Sequence, residues 1–81
     1  MTPAQRDRLF RRFALTIPTG RRVTVKWRLH LHETQDRVTT GRPYLELRDV
    51  VYVDVAGNLV AIPKASVRSI ESAEPTIKKD S

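Results

Sequence analysis

The chain has 81 residues, room for one small domain, and no cysteine, which excludes a disulfide framework and a thiolate zinc site. Its net charge is +6 and lopsided: residues 1–30 carry eight Lys/Arg against the single acid Asp7, whereas residues 31–81 carry seven against eight acids. Charge gathered into one part of a chain marks a surface facing a polyanion, most often nucleic acid, although a merely solubilising surface has the same composition.

The first segment, "TPAQRDRLFRRFA", has the marks of a helix start. Thr2 is a cap, Pro3 suits the first turn, and Gln5 lies three residues after Thr2 in capping-box spacing. At 100° per residue, Leu9, Phe10 and Phe13 share one side and Arg8, Arg11 and Arg12 the other, with Arg6 snorkelling past the apolar side. The arginines form either a solvated face or a ligand-facing one. With no long apolar run and arginine throughout, the segment reads as neither a signal peptide nor a membrane span, so a cytoplasmic location without a membrane partner is expected.

After the break at "IPTG", the run "RRVTVKWRLHLH" alternates without a fault. Val23, Val25, Trp27, Leu29 and Leu31 fall on one face, and Arg22, Thr24, Lys26, Arg28, His30 and His32 on the other. The pattern predicts a long half-buried strand with a basic stripe. "ETQDRVTTGRP" reads as a long loop closed by Gly41 and Pro43. "YLELRDVVYVDV" reads as one strand bent near Arg48 and Asp49, with Leu45, Leu47, Val51, Val53 and Val55 on its apolar face and Asp49 marking a bulge or a paired charge.

"AGN" predicts a hairpin turn in which Gly57 and Asn58 supply the positive φ. "LVAIP" and "SVRSI" are short strands, Pro63 ending the first, and residues 72–81 lack periodicity and read as a disordered tail. The fold class expected is mainly β: a short N-terminal helix, then a five-stranded, strongly bent antiparallel sheet closing into a small barrel, in one domain over residues 1–71.

The order of helix and strands, and the stretch "IPKASVRSI", resemble the Sm-like family. That family's second signature runs I-R-G-x-x-I/V-x-x-I/V, and Ile62, Val67 and Ile70 stand in register with its apolar positions. "TGRRVTV" is similar to the G-x-x-V opening of the first signature through Gly20 and Val23, and "YLELRD" to its N-x-x-L-x-D end through Leu47 and Asp49. A helix "RDRLFRRF" leading at once into a strand is similar to the bacterial RNA-chaperone branch, the Hfq-like proteins.

The resemblance implies a small barrel, SH3-like in build, in which one strand ends after Ile62, the chain turns a one-turn corner, and a last strand pairs elsewhere. It also implies a homo-oligomeric ring, hexamer or heptamer, in which the strand around Leu59 to Ile62 pairs with the Ser66 to Ile70 strand of its neighbour. The chain departs from the signatures at the family's RNA contacts. Pro63 replaces the Arg/Lys, Lys64 the Gly or His, and Tyr44 the base-reading Asn, and the segment through "HETQDRVTTG" is longer than usual.

The residues themselves point to binding rather than catalysis. Arg22, Lys26, Arg28 and His30 on a strand face, with Arg8, Arg11 and Arg12 on a helix face, are spaced to follow phosphates. Tyr44, Tyr52 and Trp27 are the stacking candidates, although Trp27 lies on the apolar face and is read as core. Tyr44 and Lys64 are candidate contacts by their place in the signatures, with simple surface exposure as the alternative. His30 and His32 would hold a metal only if Glu33 or Asp36 approached as a third ligand, and no metal site is expected. No nucleophile has a base beside it and no glycine-rich phosphate loop is present, so neither an enzyme nor a cofactor is expected. The expected partner is RNA or single-stranded DNA. The competing reading is an adaptor that docks on a partner protein, which the long loop from Glu33 to Pro43 favours.

Overall fold

The computed structural model describes residues 2–30 and 32–73. Helix α1 (Pro3–Thr16) opens with the predicted capping box: the Thr2 hydroxyl accepts from the Gln5 amide, and the Gln5 side chain accepts from the Thr2 amide at 2.9 Å. Its buried residues are Phe10 and Phe13, with Leu9 packed beside them, so the predicted apolar stripe is the face laid on the sheet. Arg6 runs past this stripe to donate to the Lys64 carbonyl at 2.6 Å. A 3-10 turn (Ile17–Thr19) closed by Gly20 at φ +70° ends the helix.

Five strands follow: β1 (Val23–Trp27), β2 (Arg37–Glu46), β3 (Val50–Val55), β4 (Asn58–Pro63) and β5 (Val67–Ser72). They form one antiparallel sheet in the order β4-β3-β2-β1-β5. The sheet is not closed, because the chain neighbours β4 and β5 lie at opposite ends of the order. Between them Lys64–Ser66 make a 3-10 corner, with Ile62 and Val67 buried on either side and Ile70 packed against the core. The apolar spacing of "IPKASVRSI" is that of two strands hinged by one tight turn.

Strand β2 carries the bend. Its first half, Arg37–Gly41, pairs with β1, and its second half, Arg42–Glu46, pairs with β3. Gly41 stands at the change of partner, where a β-carbon would overlap the Asp54 carbonyl and come within 2.9 Å of a Val53 methyl. Only the absence of a side chain lets β3 approach so closely.

Five expectations need correction. The basic strand is shorter than its alternation, since β1 ends at Trp27, and Leu29 is 44% exposed. Leu31 lies outside the described residues. The long loop is half strand, because β2 begins at Arg37. The bent strand is two strands joined by a tight turn, in which the Leu47 amide donates to the Val50 carbonyl at 2.9 Å and Asp49 is an exposed turn residue.

The bulge falls at Tyr44, not Asp49. Pro43 pairs with Val53, but the next pair is Leu45 with Tyr52. The extra residue flips the phase, so Leu45 faces outward, 41% exposed, and Leu47 is exposed with it. In the hairpin turn the positive φ angles belong to Ala56 (53°) and Gly57 (89°), one residue earlier than expected, and the Gly57 amide donates to Asp54 Oδ1 at 2.8 Å. Residues 74–81, which hold most of the predicted tail, lie outside the described residues.

The core joins Phe10 and Phe13 to Val23, Val25, Trp27, Val51, Val53, Ile62 and Val67. Trp27 is core, as its face implied, and its indole N–H donates to Thr39 at 3.0 Å. A partner for that N–H is what makes burial of the ring favourable. Among the described residues no helix is long and apolar enough to cross a membrane.

Candidate nucleic-acid interface

Arg8, Arg11 and Arg12 are exposed on the side of α1 turned away from Phe10 and Phe13. Among the described residues none of the three pairs with an acid. Packing of the phenylalanines fixes this display, because the helix has one apolar stripe and everything else must face water.

The strand stripe is not assembled as the alternation implied. Arg22 is exposed just before β1, and its carbonyl accepts from the Ala73 amide at 3.0 Å. Lys26 is half-buried in β1, on the outer face with Thr24, whose hydroxyl meets that of Thr40 at 3.0 Å. Past Trp27 the chain leaves the strand, and Arg28 and His30 leave with it. The Arg28 amide is tied to the Ser66 carbonyl at 2.9 Å, and its guanidinium Nε donates to Asp36 Oδ1 at 2.7 Å. Arg68 of β5 approaches the same carboxylate oxygen at 3.4 Å. His30 is exposed and stacks on His32, with ring centroids 5.7 Å apart and planes 7° from parallel.

The two signature positions have different fates. Tyr44 is 53% exposed at the β2 bulge, with its ring free to stack. Lys64 is committed to the fold: its ammonium pairs with Glu46 and lies 5.0 Å from the centre of the Phe10 ring. Its amide donates to the Asp49 carbonyl at 2.9 Å. It therefore braces the corner against α1 and β2, and little of its charge faces outward.

Neither acid of the β1–β2 loop joins the histidines. Glu33 takes the Arg37 guanidinium at 2.8 Å and the Leu29 amide at 3.2 Å, and Asp36 takes Arg28. The Arg37 hydrogen bonds, the largest effect, hold the Glu33 carboxyl below the usual range; burial opposes them as the next largest, and the Leu29 amide and nearby positive charge add smaller effects in the lowering direction. The same bond raises Arg37, which also lies over the Trp27 ring at 5.4 Å. Among the described residues no three His, Cys, Asp or Glu side chains are grouped to hold a metal.

Sequence reasoning missed Arg6 and Arg68 as members of a basic cluster with Arg28. Arg68 follows the inward Val67, so alternation placed it outward, but nothing local joined it to Asp36, 32 positions earlier in the chain. Comparison of the chain with family models, with curated proteins and with solved structures finds no match.

Proposed function

We propose that this protein is an Sm-like small barrel that binds RNA or single-stranded DNA through a basic face and assembles as a homo-oligomeric ring. The observation that carries the binding role is the row of exposed arginines, Arg8, Arg11 and Arg12, unpaired with any acid among the described residues. Guanidinium groups held on a rigid helix gain affinity by displacing counterions from phosphates and need no base-specific pocket. That suits a chain with Pro63 and a committed Lys64 at the family's usual contacts. Arg22 and Lys26 extend the basic surface, and Tyr44 is its stacking side chain.

Assembly is supported by the edges. Strands β4 and β5 end the sheet, each with one paired side among the described residues, and an open edge favours pairing with another chain. Pairing β4 of one copy with β5 of the next repeats head to tail and closes when the rotation allows, multiplying weak sites by avidity.

Fluorescence anisotropy with single-stranded RNA and DNA at low salt tests the reading. Binding weakens as salt rises, and replacing Arg8, Arg11 and Arg12 together by Gln lowers the log–log salt slope by about 2, at roughly 0.7 per phosphate contact. No binding to either strand at low salt ends the proposal. Light scattering coupled to size exclusion tests the ring, a hexamer or heptamer supporting it and a monomer opposing it.

A second reading, a module that docks on a partner protein, is favoured by the exposed run Tyr44, Leu45 and Leu47. Co-purified nucleic acid, seen in the ratio of absorbance at 260 to 280 nm, favours the first reading. A clean protein ratio with retained partner protein favours the second.

A further inference from the structure

A cavity of about 610 Å³ opens between the end of β1, the β1–β2 loop and the start of β5, and Arg6, Arg28, Arg68, His30, Asp36 and Ser69 line it. Its arginines come from three separate parts of the chain: the first turns of α1, the residue after β1, and β5. Asp36 holds two of them through Nε, Arg28 at 2.7 Å and Arg68 at 3.4 Å. Binding through Nε leaves the terminal Nη groups of both without an acceptor among the described residues. Arg6 is steadied at the corner by its bond to the Lys64 carbonyl.

One carboxylate thus orients two guanidinium forks and offsets a single charge of three. The formal charges of Arg6, Arg28 and Arg68 against Asp36 leave an excess of +2 in the lining. We infer that this cavity binds a phosphate monoester dianion. A dianion neutralises the lining, whereas a diester leaves half of the excess. Guanidinium forks donate to phosphate oxygens in pairs, which an ammonium does not. The volume is in the range of small-molecule sites and exceeds what a bare anion fills, so the ester's own substituent has room. A phosphate monoester arises as the free ion's ester or as the 5′ end of a strand, and only the second source rests on the nucleic-acid reading above.

The test is a titration of the ¹⁵N-labelled full chain with inorganic phosphate, observing arginine Nε–Hε resonances. Saturable shifts of Arg28 and Arg68 are expected, and their absence overturns the inference without any variant being needed. Arg68 is exposed, and Arg68→Gln is expected to weaken phosphate binding about tenfold, one charge-assisted pair being lost, with the β5 amide spectrum unchanged. Phosphate affinity unchanged in Arg68→Gln also overturns it.

Thymidine hexamers with a 5′-phosphate or a 5′-hydroxyl separate the sources. Tighter binding of the phosphorylated hexamer, by about tenfold and lost in Arg68→Gln, assigns the strand end. Equal binding of both with phosphate shifts retained excludes the strand end and keeps the site for the free ion or a small ester. Phosphate shifts with neither hexamer bound refute the nucleic-acid reading and leave the cavity site standing. Hexamer binding without phosphate shifts does the reverse.

Discussion

The ammonium of Lys64 stands 5.0 Å from the centre of the Phe10 ring, which ties the corner between β4 and β5 to the buried face of α1. Glu46 completes the contact from β2, so three elements meet at one lysine. A cation over an aromatic face contributes about 0.5–1 kcal/mol, and a partly screened ion pair up to about 1 kcal/mol more. Lys64→Ala is therefore expected to lower stability by about 1–2 kcal/mol in denaturant unfolding while changing oligonucleotide affinity less than twofold. A loss of affinity with unchanged stability would make Lys64 a ligand contact instead.

Gly41→Ala is expected to destabilise more sharply for its size. The added methyl meets the Asp54 backbone, which cannot swing aside as a side-chain tip can. Overpacking at such a place costs about 1–3 kcal/mol. The measurement is the denaturation midpoint, with amide shifts at Val53 and Asp54 locating the strain. A midpoint equal to that of the parent chain would refute the close approach of β2 and β3.

Ala56 is the reverse case, a stabilising substitution. It holds φ 53° in a turn that suits Asn or Gly, and its β-carbon is unfavourable there. Ala56→Asn is expected to raise stability by about 0.5–1 kcal/mol, or a few degrees in Tm at about 4–8 °C per kcal/mol for a domain of this size. Scanning calorimetry reads this directly, and a lower Tm would count against the turn geometry.

Glu33 sets an acid limb. Its carboxyl is lowered in the folded chain, first by the Arg37 hydrogen bond, so the unfolded chain takes up its proton at higher pH than the folded one. The contribution is complete above the ordinary glutamate range and is lost as pH falls through the lowered folded value. In an NMR titration the Leu29 amide, which donates to Glu33, is expected to shift with a midpoint below that of an unstructured glutamate. Glu33→Gln removes that step. A midpoint at the ordinary value would show that the Arg37 contact does not persist in solution.

Where the signal was local, the sequence was legible. The capping box of Thr2 and Gln5, the stripe of Leu9, Phe10 and Phe13, and the "AGN" hairpin each depend on residues a few positions apart. Errors gathered where partners are distant. The alternation of "RRVTVKWRLHLH" runs past Trp27, but the strand ends there because Asp36 draws Arg28 into an ion pair and the Ser66 carbonyl takes its amide. Leu45 kept the right spacing for the core and lost its place to one extra residue, Tyr44.

The sequence by itself determined the mainly β class, the helix with its arginine face, and the hinge within "IPKASVRSI", since periodicity and turn chemistry are properties of neighbours along the chain. Only the tertiary structure decided the partner change at Gly41, the bulge at Tyr44, the bracing of Lys64 and the meeting of Arg28 and Arg68 on Asp36. Each of these depends on strand register and on charges that meet across the sheet, and register is settled by the packing of the whole core rather than by any one segment.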